Sequence, residues 1–308
     1  MTQDLNNGAA WMGGRIIPVS QAAIPVTDWG VTHSDIAYDV VPVWNGAFFR
    51  LEEYLTRFLA SVAAQRMEIG MDAEAIKAAL GDMVAASGLR NSYVAMVAAR
   101  GRNPVPGSRD PRDCENHFFA WCVPYVHIVK PDAADRGTSV WVAKSVRRIP
   151  KDSVNPRVKN YHWGDFTSGL FEAKDHGFET VMLLDHSGNV TEGPGFNVFS
   201  VRGGTLITPE DGVLHGITRQ TVIDMARSEG LAVETRALPL DEVSEADEVF
   251  LSSSGGGVIP VAQIDTRSFS NGVAGPVATR LRALYFDWLQ EPRLRTPVPY
   301  PEDTSGQT

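Results

Sequence analysis

From Leu51 the sequence lays down two amphipathic helical stretches and then two long apolar runs, an order that confines this part of the chain to mixed α/β packing. Leu51, Leu55, Phe58, Leu59 and Val62 share one face of the stretch Leu51 to Met67. Ile76, Leu80, Met83 and Val84 do the same in Asp72 to Ser87, and Gly70 and Gly88 supply the stops. "SYVAMVAARG" and "HFFAWCVPYV" then read as buried strands, joined by the polar loop "RNPVPGSRDPRDCEN", whose length marks it as functional or disordered. Upstream, "AAIPVTDWGV" and "AYDVVPVWNGAFFRL" carry the β-branched and aromatic residues of strands, with Asn45-Gly46 as a hairpin turn.

The composition changes at "HIVKPDAADRG", residues 127–137, which reads as a linker between an N-terminal domain, 1–126, and a C-terminal one, 138–308. Beyond it, "TSVWVAKSV", "ETVMLLD", "NVFSV", "TLITP" and "EVFLSSS" are strand candidates. Helices are expected near Phe166 to His176, Thr218 to Ser228 and Val277 to Leu289. Strands and helices in both halves predict two α/β domains, and ligand sites commonly form between such domains. The tail after Pro292 is Pro-rich and polar and reads as loosely held.

A chain of 308 residues, 43% of them hydrophobic, can bury a large core. Its net charge of −9 repels polyanions, so neither nucleic acid nor an anionic membrane is an expected partner. The exception is a basic stretch, Lys144, Arg147, Arg148, Lys151, Arg157 and Lys159 against the single acid Asp152, for which a solvated surface is an equal reading. Cys114 and Cys122 form neither a CxxC pair nor a spaced zinc set, so no metal is expected. With no signal-peptide pattern and no apolar run near the roughly 20 residues of a membrane span, the expected location is cytoplasmic.

Four stretches carry chemistry. Lys159, in "DSVNPRVKNYHWGD", is a single lysine delivered by a turn-rich segment where neither a helix nor a strand face explains it. Glu192 precedes a Gly-Pro-Gly turn in "TEGPGFNVFS"; it is either an exposed turn residue or a carboxylate aimed at a cationic nitrogen. "LHGITRQTV" opens a helix whose free amides at Ile217 and Thr218 suit an anion, as do those of any helix. "FLSSSGGGV" runs a strand into hydroxyls and glycines that let backbone amides approach a ligand; a flexible surface loop competes with that reading. One ligand uses all four: pyridoxal 5′-phosphate, which needs an amine for its aldehyde, an acid for its ring nitrogen and a compact phosphate cradle.

In order and spacing, "VKNYHWGD", "TEGPGFNVF", "LHGITRQTV" and "SSSGGGVIP" resemble the class IV aminotransferases, the superfamily of branched-chain and D-amino-acid aminotransferases. The runs "HSD…YDV" and "KNYHWGD…EAKDHG" are most similar to its (R)-selective amine transaminases. The resemblance implies the two-domain fold type IV architecture: a smaller N-terminal α/β domain and a larger C-terminal domain around a β-barrel-like sheet. It further implies that Lys159 carries the cofactor as a Schiff base and acts as the proton-transferring base, while Glu192 keeps the ring nitrogen protonated. Arg57, otherwise a helix surface charge, would bind the phosphate with the amides of Ile217 and Thr218 and the hydroxyls of Ser253 and Ser254. His33, Tyr38, Val40, Tyr93, Ala95 and Trp163 would line the substrate pocket; each has an ordinary core alternative.

The implied reaction is ping-pong transfer of an amino group from an (R)-amine or D-amino acid to an oxo acid. A branched-chain L-amino-acid transaminase is the alternative, weighed against "SYVAMVAARG" because bacterial members of that group usually show Tyr-Ile-Arg there. An aminodeoxychorismate-lyase-like enzyme is a third reading. Pro106 stands where the amine transaminases often carry a mobile arginine for the substrate carboxylate, leaving Arg109 or Arg112 to replace it. The family resemblance also implies a homodimer, with the segment around His33 and the Pro-rich loop closing the partner's site.

Overall fold

Packing contacts sort the chain into two units, and the computed structural model describes residues 4–301, with the backbone alone at 133–135. The first unit holds the described residues up to Val126, Val158–Tyr161, and those from Pro292 on; the second holds His127–Arg157 and His162–Glu291. The segment around Lys159 and the C-terminal stretch thus group with the first unit, although the sequence pattern predicts one domain over 138–308.

The first unit contains strands β1 (Ala9–Met12) and β2 (Arg15–Pro18), helix α1 (Trp29–Thr32), and strands β3 (Ile36–Trp44) and β4 (Ala47–Phe49). Helices α2 (Leu51–Ala64) and α3 (Ala73–Ser87) follow, then strands β5 (Ser92–Arg102) and β6 (Glu115–Pro124). The sheet order is Arg295–Pro297, β4, β3, β5, β6, β1, β2, antiparallel throughout. Helix α2 packs on β3 and buries Leu51, Tyr54, Leu55, Phe58, Ser61 and Val62 at helical spacing. Each of the large apolar side chains among them contributes about 1.5–3 kcal/mol. Asp72 caps α3 by accepting from the Ala75 amide at 2.9 Å.

Two expectations fail here for identifiable reasons. "AAIPVTDWGV" forms no strand, because the Asp28 carboxylate accepts from the Gly30 amide at 2.7 Å and turns the chain into α1. The tail is tied down as far as Tyr300: Arg295–Pro297 pairs with β4, and the Tyr300 hydroxyl donates to the Leu89 carbonyl at 2.5 Å, while residues 302–308 lie outside the described residues. Separately, the stretch expected as a linker holds a short helix, Pro131–Arg136, with proline at its first position, where a missing N–H costs nothing.

In the second unit, α4 (Pro131–Arg136), β7 (Thr138–Val142), α5 (Gly164–Asp175), β8 (Thr180–Met182), β9 (Glu192–Gly193), β10 (Phe196–Arg202) and β11 (Thr205–Pro209) come first. Then come α6 (Ile217–Ser228), β12 (Ala232–Arg236), α7 (Leu240–Ser244), β13 (Glu248–Ser253), β14 (Gly257–Ile264), β15 (Arg267–Ser268) and α8 (Pro276–Trp288). The sheet runs β12, β11, β10, β13, β14, β7, β8, with β9 on β10 and β15 on β14. Parallel neighbours cannot be joined by a tight turn, so α5 crosses from β7 to β8 and α6 from β11 to β12. That crossover aims the N-terminus of α6 outside the carboxyl end of β11, where open α/β sheets hold ligands. Val198, Leu251, Ile259, Val261 and Val140 are buried in this unit's core.

Candidate active site

Strand β3 sets three consecutive residues, Tyr38, Asp39 and Val40, into buried positions. Against it lies the segment bearing Lys159. The Tyr38 amide donates to the Lys159 carbonyl at 3.1 Å, Asn160 bridges to Ala37, and the Lys159 amide donates to Ser61 Oγ on α2 at 3.2 Å. These backbone ties explain why a turn-rich segment carries this lysine: no regular element is needed to hold it. Lys159 Nζ is 3.2 Å from the Tyr38 hydroxyl and 4.3 Å from the centroid of that ring.

The Tyr161 ring packs against Tyr38 at a tilt of 40°, with centroids 4.2 Å apart. Burial pushes the Tyr93 phenol up to about 12 although the Lys159 charge pulls it down, and burial also raises Tyr161, helped by Tyr38 and Tyr93. Both therefore stay neutral hydroxyls at working pH. Val40 faces Ala95 across the β3–β5 ladder, and Tyr93 pairs with Pro42, so these paired positions present no cation.

Arg57, on α2, meets Asp39 in a fork, Nε to Oδ2 at 2.8 Å and Nη2 to Oδ1 at 2.7 Å. Burial works to lower the Arg57 pKa, but the charge and hydrogen bonds of Asp39 outweigh it and hold the guanidinium above its ordinary value. Asp39 is a functional candidate that sequence reasoning misses; its signal is an acid in the middle of an apolar strand.

In the second unit Glu192 is 6% exposed, not the exposed turn residue of the alternative reading. Its Oε1 accepts from Arg148 Nε at 3.2 Å and its Oε2 from the Leu214 amide at 2.9 Å. Gly193 beside it has to be glycine, since a Cβ would stand 2.1 Å from the Phe196 ring and 2.4 Å from the Val181 carbonyl oxygen. Arg148 also donates to Asp165 Oδ2 at 2.6 Å, and Asp165 accepts from the Ile149 and Phe166 amides as well. Arg148 and Asp165 carry no marker in the sequence beyond belonging to the basic stretch and to "WGD".

The Leu214 carbonyl accepts from Asn197 Nδ2 at 2.8 Å, which pins the turn that opens α6. Gly216 precedes the helix without a side-chain cap, and a Cβ there would lie 2.3 Å from Asn197 Oδ1. The first-turn amides of Ile217 and Thr218 thus lack the usual capping oxygen. Thr218 Oγ1 is buried with no hydrogen-bond partner among the described residues. That orphaned hydroxyl beside uncapped amides is what a phosphate cradle needs.

Ser253 uses its hydroxyl to donate to the Gly195 carbonyl at 2.7 Å and to accept from the Gly255 amide at 3.1 Å, so it shapes the turn around the half-buried Ser254. Trp163 is half-buried at the start of α5 with its ring 5.5 Å from Phe166. His33 is exposed at the end of α1, its ring tilted against Trp29 at 4.5 Å and bonded to Thr32 at 2.7 Å. Pro106, Arg109 and Arg112 are exposed in the β5–β6 loop. Arg112 is engaged by Asp110, whose carboxyl its hydrogen bonds hold down to about 2.

Residues 37–264 match the family model for class IV amino-transferases. The chain is a class IV aminotransferase. This aminotransferase is 29% identical over 280 residues to a putative branched-chain-amino-acid aminotransferase of Methanocaldococcus jannaschii, covering 90% of this chain and 95% of the relative. It is 27% identical to the D-alanine aminotransferase of Bacillus licheniformis, over 87% and 93% of the two chains. The crystal structure of the branched-chain amino acid aminotransferase from Thermobaculum terrenum in its PLP form superposes with a TM-score of 0.84 at 30% identity, covering 96% of this aminotransferase and 99% of that chain. No helix among the described residues is long and apolar enough to cross a membrane.

Proposed function

We propose that this class IV aminotransferase uses pyridoxal 5′-phosphate to move an amino group from a donor with a hydrophobic side chain to an oxo acid. When bound, the cofactor supplies a Schiff-base carbon and an electron-withdrawing ring. The chain supplies the rest. Lys159 binds the aldehyde and then moves the substrate proton through Nζ, with the Tyr38 hydroxyl fixing that nitrogen. Glu192 holds the ring nitrogen; Arg57, oriented by Asp39, together with Ile217, Thr218 and Ser254, binds the phosphate, while Ser253, whose hydroxyl is spent on Gly195 and Gly255, shapes the turn that presents Ser254. The observation that carries the reading is Lys159 Nζ 3.2 Å from the Tyr38 hydroxyl, on a β3–β5 ladder whose positions Val40, Ala95 and Tyr93 are uncharged.

The donor has two readings. Relatives bearing branched-chain aminotransferase names support L-leucine and its kin. An (R)-amine or D-amino acid, lined by His33, Tyr38, Val40, Tyr93, Ala95 and Trp163, is the other reading; within it the absence of a cation at Val40, Ala95 and Tyr93 favours the amine, which brings no carboxylate to be buried without a partner. Adding L-leucine, (R)-1-phenylethylamine and D-alanine separately to the cofactor-loaded protein decides, by the rate at which the cofactor absorbance converts. L-leucine leads under the first reading. One of the other two leads under the second, and conversion by none of them refutes both.

For the acceptor carboxylate, Arg109 is the loop arginine without a hydrogen-bonded or ionic partner among the described residues, whereas Arg112 is held by Asp110. Arg109→Ala is expected to raise KM for the oxo acid about 10–100-fold, the worth of a bidentate charge-assisted bond, with the amine KM unchanged. Arg112→Ala should leave both alone. Equal effects on both substrates would remove Arg109 from the site.

A homodimer is part of the proposal. Val26, 81% exposed, together with Val31 and Val105, and an apolar groove of about 380 Å³ lined by Ala22, Ile24, Phe119 and Trp121, supports a second copy on the first unit. Sedimentation is expected to give twice the chain mass, and an active monomer would refute it.

A further inference from the structure

Nothing in the transamination chemistry above calls for Arg148, yet it is 8% exposed and joins two buried carboxylates, Glu192 and Asp165. It stacks on Phe166 with its guanidinium carbon 4.3 Å from the ring centroid, and its backbone amide donates to the Leu184 carbonyl, so the fork has little freedom to turn. Asp165 is fixed just as firmly, by the Ile149 and Phe166 amides. The three residues form a rigid, water-poor line in which one positive charge sits between two negative ones.

We propose that Arg148 is a positioning residue that keeps the Glu192 carboxylate ionised, so that the proton shared with the cofactor's ring nitrogen stays on nitrogen. The inference rests on the reading of Glu192 as the partner of that nitrogen. The proton has two resting places, on nitrogen with Glu192 as carboxylate, or on a Glu192 oxygen with both partners neutral. Net charge is the same in the two arrangements, so the local field chooses between them. A guanidinium 3.2 Å from Oε1 stabilises the carboxylate and disfavours the neutral acid. Asp165 acts in the opposite direction, by drawing part of the guanidinium's attraction away from Glu192.

Loading the protein with cofactor labelled with ¹⁵N in the ring and recording the nitrogen resonance at one fixed pH tests this. Arg148→Gln is expected to move the resonance toward the unprotonated position, and Asp165→Asn to leave it at the protonated one. A merely structural role predicts that both substitutions disturb the same packing alike. Arg148→Gln leaves two carboxylates buried and risks the fold, so the double variant Arg148→Gln/Asp165→Asn, which removes the ion pair as a unit, is measured beside it and is expected to shift like Arg148→Gln. If Glu192→Gln moves the resonance while neither Arg148 variant does, the role of Arg148 is overturned and that of Glu192 stands. If Glu192→Gln leaves the resonance in place, both fall.

Discussion

Lys159→Ala is expected to abolish turnover, by at least about 10⁴-fold, while leaving the chain folded. The magnitude follows from removing the group that transfers the proton, worth about 10²–10⁴ by itself, and also the covalent anchor that precedes it. The fold survives because the contacts that hold this segment are made by its backbone. The Lys159 carbonyl still accepts from Tyr38, and its amide still donates to Ser61 Oγ, whatever the side chain. What disappears is the contact of Nζ with the Tyr38 hydroxyl, while Tyr38 keeps its ring contact with Tyr161. Borohydride reduction of the cofactor-loaded protein followed by peptide mapping should label Lys159 and nothing else. A label on Lys144 or Lys151, or residual turnover within tenfold of the parent, would show that the wrong lysine has been chosen.

How much of this was legible in the sequence depends on whether the signal was local. Helices α2 and α3 were, because apolar spacing and the Asp72 cap act within one turn. Strand β14 was not: Pro260 and its glycine-rich start speak against a strand, yet Pro260 pairs with Phe250 in the ladder. The hairpin β1–β2 and the pairing of Arg295–Pro297 with β4 are non-local, and no pattern within either segment announces its partner. The functional residues divide in the same way. Lys159, Glu192 and Arg57 stand in motifs, but the contacts that hold them, Tyr38 on Lys159, Arg148 on Glu192 and Asp39 on Arg57, are made only through the fold. A buried Asp in the run "AYDVV" was the one such signal open to inspection.

Glu192→Gln is expected to keep cofactor affinity within about tenfold while slowing the proton shift by about 10²–10³-fold, the range for removing one preorganised electrostatic partner from a reacting group. Affinity is expected to be retained because the proposed phosphate cradle lies elsewhere, at the uncapped amides of α6, and because Arg148 keeps its ion pair with Asp165 when the second carboxylate becomes an amide. The glutamine carbonyl can still accept from the Leu214 amide, so the turn before α6 stays pinned by that bond and by Asn197. The rate falls because a neutral amide does not stabilise a protonated ring nitrogen, and without that charge the carbon losing its proton has a weaker electron sink. Rapid mixing of the variant with its donor, with and without deuterium on the reacting carbon, separates the two effects. A large isotope effect on a slow phase, with normal binding of the phosphate, is the expected result. Undiminished transamination would mean that Glu192, though buried and held from two sides, serves only to position the turn that opens α6.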